Sequence, residues 1–464
     1  MASAGGARPV AGVGRAARSA PDDTDGDATD ATVPAPPLAR TARTWFALGL
    51  LSFGGPAAQT ALMHRTLVVE RRWVDERRFL GALGFCMLLP GPEAMQLATW
   101  AGWRLHGIAG GLLAGLGFVL PGALVMLALG ALYGVAADLA PVEALFTGVK
   151  AAVLAIVVQA LARLWRRALA RADHRALALG AFVALFLLDA PYPLVVVLAA
   201  GYGALAPGDA ASGTVSDAAG VSARAAPSWR ATLATLAIGL AIWWAPIGAL
   251  ALATDPADPA RILVELGTFF STLAVLTFGG AYAVLAWLAQ DAVETHGWLT
   301  AGQMMDGLGL AETTPGPLIL VTEFVGYLAG LGAGGPLLGV AGAAVVLWVT
   351  FVPCFVWIFA GAPWLDALSA RPRLRGALAG ITAAVVGVIA NLSLWFALHV
   401  LFGTVEERRA GPVRLWVPEW STVDWRVPAL VALAAALLFG WRRSVPTVLA
   451  ACSVTGLALG ALPG

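Results

Sequence analysis

Apolar and polar positions fall in long blocks along this chain rather than alternating residue by residue. From Arg43 onward about thirteen apolar stretches are separated by short polar connections. They lie roughly at 44–63, 79–103, 107–136, 143–162, 176–189, 191–206, 229–253, 262–290, 307–330, 336–360, 376–402, 427–441 and 444–462. Such blocks predict membrane-spanning helices, which need about 20 apolar residues each. Several carry Gly and Pro near their centres, where a helix must break. Residues 1–40 differ: Ala, Gly, Pro and Asp dominate, and Arg8, Arg15 and Arg18 lead into an acidic run rather than an apolar core. That stretch reads as a disordered arm and not a signal peptide.

The blocks repeat. Phe53-Gly54-Gly55 returns as Phe278-Gly279-Gly280, Trp73 as Trp298, and Pro90-Gly91-Pro92 as Pro315-Gly316-Pro317, each offset by 225 residues. After a short insertion the offset becomes 232, matching Pro121 to Pro353 and the Gly148–Val153 stretch to Gly380–Val385. Identical spacing of such marks identifies a duplication: a first repeat at 44–206, a linker at 207–228 and a second repeat at 229–462.

Charge orients the halves. The loop after the first Phe-Gly-Gly holds Arg65, Arg71, Arg72, Arg77 and Arg78, whereas its counterpart at 289–306 has no Lys or Arg. The 163–175 stretch has five arginines and its counterpart 395–407 none, while Arg371, Arg373 and Arg375 answer an arginine-free 139–143. Under the positive-inside rule the halves have opposite topology. The expected fold is an all-α polytopic membrane protein with an inverted-topology repeat and Gly/Pro-broken or re-entrant helices. Arginines on both flanks of 44–63 and of 79–103 favour re-entrant hairpins there and at 262–290 and 307–330. Nine crossings then remain, the N-terminus inside and the C-terminus outside. A plain thirteen-helix bundle is the alternative.

Composition sharpens the exclusions. The chain is 59% hydrophobic and 12% charged, with mean hydropathy +0.79, too apolar for a soluble fold of 464 residues. A net charge of +1 gives no basic face for nucleic acid. Three scattered cysteines and five scattered histidines form no disulfide framework and no metal-ligand spacing, so no cofactor or metal is expected. Without a Gly-x4-Gly-Lys-Ser/Thr loop, ATP does not drive the protein directly. An intramembrane enzyme would want paired carboxylates or a Ser/His couple in facing segments, and none is spaced for it. A membrane scaffold would leave the repeated breaks unexplained.

The breaks themselves suggest chemistry. Pro-Gly-Pro cannot continue a helix, and its second proline suits the first turn of a new half-helix. Free N–H groups and a partial positive charge then face mid-membrane, an anion site. A packing kink is the alternative, which recurrence in both halves disfavours. The residues FGGPAAQTALMH, ERRWVDERRFL and LLPGPEAMQLA, with FGGAYAVLAW and AETTPGPLILVTEFVGY, resemble the two halves of the chromate ion transporter family over roughly 44–462. The resemblance implies an inner-membrane secondary transporter that exports chromate and confers resistance. Ala281 departs from it, since many relatives carry a further glycine there.

The expected anion-binding residues are Pro90, Gly91, Pro92, Pro315, Gly316, Pro317, Gly54, Gly55, Gly279, Gly280 and Lys150. Lys150 is the only lysine and lies about eight residues into an apolar segment, to pair with an oxyanion or to snorkel to the interface. Glu93 and Glu312 are the coupling candidates; Glu93 could equally be a helix cap. Glu265 and Glu323 are further intramembrane carboxylates. Gln59, Gln96, Thr313, Thr314 and Asn391 could donate to an oxyanion or hold helices together. Trp73 and Trp298 read as interface anchors, His64 and Arg104 as segment ends. Sulfate, of the same shape and charge as chromate, is the rival substrate; proton coupling and a homodimer are left open.

Overall fold

The computed structural model describes residues 36–53, 55–206, 228–278, 281–365 and 371–461. The arm expected at 1–40 and the linker at 207–228 therefore lie almost wholly outside the described residues. The first helix, α1 (Leu38–Leu50), starts six residues before the expected apolar block. Pro37 is the last proline of the arm and serves as the residue preceding the helix, so nothing forbids a helix from Leu38 although its first turns are polar.

In each half two helices flank the Phe-Gly-Gly mark: α1 and α2 (Gly55–His64) in the first half, and α9 (Ile262–Leu276) and α10 (Ala281–Gln290) in the second. Both second members run into a π turn, Arg65–Glu70 and Asp291–Thr295. The Trp73 amide then bonds Leu67 O and the Trp298 amide bonds Ala292 O, both at 2.8 Å and both partners 225 residues apart. Asp75 caps α3 (Glu76–Cys86), and Thr300 with Gln303 caps α11 (Ala301–Thr313) in a reciprocal pair of bonds. The repeat read from rare residues is thus a repeat of backbone geometry.

After the Pro-Gly-Pro marks the chain again runs as helix. α4 (Glu93–Ala136) is two helical arms joined at His106 and Gly107, whose backbones are not helical, Gly107 at φ 64°. The arms pack back on one another so tightly that a Cβ at Gly102 would strike Gly110 and Ala114. The second half does the same with α12 (Val321–Gly334), the bend at Gly335 (φ 89°) and α13 (Pro336–Gly361). Gly330 there meets Leu338, and Gly326 meets Gly342. The first half continues with α5 (Ala140–Ala168), α6 (Ala172–Phe186) and α7 (Tyr192–Leu205), and α8 (Trp229–Ala253) comes before α9, within the stretch 229–462 expected as the second repeat. The second half ends with α14 (Pro372–Leu401), α15 (Arg426–Ala435) and α16 (Val445–Gly460).

Terminal helices are exchanged between halves. α5 packs against α16 where Gly148 faces Cys452, and α14 packs against α6 and α7 where Gly387 faces Ala178 and Gly380 faces Ala199. Among the described residues six helical stretches are long and apolar enough to span a bilayer: 93–136, 140–168, 229–253, 259–276, 336–364 and 372–401. The protein is an all-α polytopic membrane protein. One element departs from that: β1 (Val405–Ala410) and β2 (Val413–Pro418) form an antiparallel hairpin turning at Gly411 (φ 61°). The hairpin lies beyond α14, where the sequence predicts only a polar connection.

Candidate functional site

The two Pro-Gly-Pro breaks meet. Gly91 takes φ 122° and Gly316 φ 97°, a backbone conformation that only glycine adopts without strain. Each glycine donates its amide across the pseudosymmetry: Gly91 N–H to Thr277 O at 2.8 Å, and Gly316 N–H to Ser52 O at 2.9 Å. Ser52 and Thr277 are the residues immediately before the two Phe-Gly-Gly marks. Every broken segment of one half is therefore tied to a broken segment of the other. Two first-half glutamines brace the crossing: Gln59 donates to Gly316 O at 2.6 Å, and Gln96 to Pro90 O at 2.7 Å. Their repeat counterparts are Val284 and Val321, so the bracing is one-sided.

From this crossing start two half-helices, at Glu93 after Pro92 and at Leu318 after Pro317. First-turn amides have no carbonyl within their own helix and carry the positive end of its dipole. A cavity of about 20 Å³ lies among Pro56, Gln59, Gly91, Pro92, Glu93, Ala94, Thr277, Pro317, Leu318 and Ile319. One water fills such a space, and a tetrahedral oxyanion does not fit.

The other expected residues distribute around it. Pro90 and Pro315 sit in the same breaks. Gly55 starts α2 at φ 78°; Gly54, Gly279 and Gly280 lie outside the described residues. Glu93 lines the cavity itself. Glu312, buried in α11, accepts a 2.5 Å hydrogen bond from Tyr282 O–H at the start of α10. Lys150 is not beside the break: its Nζ lies 3.5 Å from Asp306 Oδ2 in α11, and Tyr133 O–H donates to the same oxygen at 2.8 Å. Asp306 is nine residues before Pro315, about 13 Å along a helix. Lys150, Tyr133 and Asp306 therefore form a second polar contact between halves.

Glu323 in α12 is 1% exposed, and neither carboxyl oxygen has a hydrogen-bond partner. Glu265, by contrast, is exposed. Thr313 and Thr314 spend their hydroxyls on Leu310 O, and Asn391 bonds Gln290 in an outer cavity instead. Trp73 lies half-buried under Arg71, and Trp298 stacks on His296. His64 bonds Glu76 at 2.6 Å. Among the described residues no cluster of His, Cys, Asp and Glu could hold a metal.

The family model described as "Chromate transporter" matches residues 39–204 and 264–457. A curated "Chromate transport protein" from Pseudomonas aeruginosa is 37% identical over 377 residues, covering 78% of this chain and 82% of that protein. A "Probable chromate transport protein" from Synechococcus elongatus is 31% identical over 365 residues, covering 77% and 84%. A "Chromate transport protein" from Cupriavidus metallidurans is 28% identical over 438 residues, covering 94% and 97%. No solved structure matches the chain.

Proposed function

The chain belongs to the chromate transporter family, and on that premise we propose that it exports chromate across the inner membrane as a secondary transporter and so confers chromate resistance. The observation that carries this reading is the reciprocal pair of hydrogen bonds between the breaks. It draws two half-helix starts together, as transporters do where an anionic group binds near mid-membrane. Opening the small cavity would expose first-turn amides of both halves to one oxyanion.

Outward movement follows from charge. A dianion leaving a cell that is negative inside gains about 2.3 kcal/mol per charge per 100 mV, roughly 4.6 kcal/mol in all. That supports a gradient of more than about a thousandfold at equilibrium, since 1.4 kcal/mol is tenfold. Proton coupling, if the membrane potential does not act alone, needs a cation that the anion and a carboxylate claim in turn. Lys150 with Asp306 is the pair present for that exchange, in place of Lys150 with Glu93 or Glu312.

Everted vesicles test the reading. Vesicles bearing the protein should accumulate chromate when an inside-positive potential is imposed, and control vesicles should not. Sulfate in excess measures selectivity: full competition would make the protein a general tetrahedral-oxyanion carrier. No uptake above control under either a potential or a pH gradient would sink the export reading.

A further inference from the structure

A second and much larger cavity lies away from the crossing. It is a cleft of about 810 Å³ between the two limbs of the first broken hairpin, lined by α1 on one side and by α2 with its π turn on the other. Arg40 and Arg43 come from the start of α1, and Glu70 and Arg71 from the end of the π turn. Residues 27 or more apart in sequence thus share one mouth, which requires the chain to enter and return. Below the mouth the lining turns apolar: Ala47, Leu48, Leu51 and Leu62. From Arg40 to Leu51 is eleven residues, about 16 Å of helix.

The charges at the mouth are unbalanced. Glu70 is already paired, accepting from Arg65 Nε at 2.8 Å. Arg71 lies over the Trp73 ring at 5.1 Å, which fixes its position without neutralising it. Arg40 and Arg43 have no carboxylate partner among the described residues. A cleft with a cationic rim and an apolar floor suits an amphiphile with an anionic head. A free oxyanion would find partners only at the rim and lose hydration for nothing below it.

We propose that the α1–α2 cleft binds an anionic phospholipid of the cytoplasmic leaflet, its phosphate held by Arg40, Arg43 and Arg71 and one acyl chain laid along Leu48, Leu51 and Leu62. Basic pockets between membrane helices on the cytoplasmic side take such headgroups. The lipid fills the space between the limbs and steadies Leu51, next to the Ser52 carbonyl that holds Gly316. This inference rests on the membrane topology and not on the identity of the transported ion.

The test uses the purified full-length protein in a neutral detergent, titrated with phosphatidylglycerol or phosphatidylcholine, with thermal stability and native mass spectrometry as readouts. Phosphatidylglycerol should raise Tm saturably and add a retained lipid mass, and phosphatidylcholine should do neither. Arg40→Gln with Arg43→Gln should weaken that binding about tenfold to thirtyfold, and Arg43→Lys should keep most of it. Ala47→Phe, which fills the floor and leaves every charge in place, should also reduce lipid retention. If the double arginine variant binds phosphatidylglycerol as the wild type does, the proposal fails. If soluble glycerol phosphate or sulfate reproduces the Tm shift, the cleft holds a free oxyanion and the lipid assignment is wrong.

Discussion

At Gly91 a side chain would meet two obstacles at once. Its φ of 122° strains any L-residue, and a Cβ would approach Cys354 Sγ to 2.8 Å and Gln96 Nε2 to 2.9 Å. Gly91→Val should cost about 1–3 kcal/mol of stability through the backbone alone. It should also abolish chromate flux while the protein still inserts; normal flux in vesicles would remove the break from the pathway. Lys150 and Asp306 give a cleaner energetic prediction. Asp306 is 5% exposed at its side chain, so Lys150→Ala strands a buried carboxylate and should destabilise by about 3–5 kcal/mol. Adding Asp306→Ala should recover much of that loss, read as the coupling term of a double-mutant cycle in thermal melts. The sequence flagged Lys150 because an isolated lysine in an apolar block is conspicuous. It gave no sign of the partner, 156 residues away, because Asp306 sits in what reads as the edge of a polar loop.

Among the elements, the β-hairpin is the one that apolar periodicity missed. Four of the six residues of β1 are charged, so it resembles a solvated loop, and only Val413, Leu415 and Val417 of β2 hint at pairing. Arg414 latches it down: 5% exposed, it reaches Asp189 at 2.8 Å, Glu294 at 3.1 Å and Leu185 O at 3.1 Å. Burial raises the Glu294 carboxyl from its ordinary 4.5 to about 7, although Arg414 pulls the other way. Between those values the folded protein holds a proton that the unfolded chain has released, so stability falls as pH rises from about 4.5 to 7 and is level beyond. Melting profiles across that range should flatten in Glu294→Gln; an unchanged slope would show that Glu294 does not titrate there. The broken helices were legible for the opposite reason. Pro-Gly-Pro, two prolines around one glycine, ends the helix in both halves, and the reversal inside α4 falls where the expected blocks 79–103 and 107–136 part, at Arg104, His106 and Gly107.

For the whole molecule, arginine placement predicts sidedness, and the exchange of terminal helices predicts that neither half folds alone. Single cysteines at 66–76 and at 371–375 should react only from the cytoplasmic side, and those at 292–303 only from outside. Labelling of 66–76 and 292–303 from the same side would overturn the inverted arrangement. Three native cysteines, Cys86, Cys354 and Cys452, are buried and should stay silent in that assay.

The two amide bonds at the crossing also bear on how well the membrane stays insulated. Gly91 and Gly316 each clasp the opposite half, and the cavity that Gly91 and Pro92 share with Pro317 and Leu318 has room for about one water. Splaying either break toward one face loosens its own clasp while the other can remain fastened. On the export reading proposed above, each break would act as a door whose latch is held by the far half. On that same reading, clasps that stay fastened would leave ions no continuous file of water, so that passage of an oxyanion need not short-circuit the membrane potential.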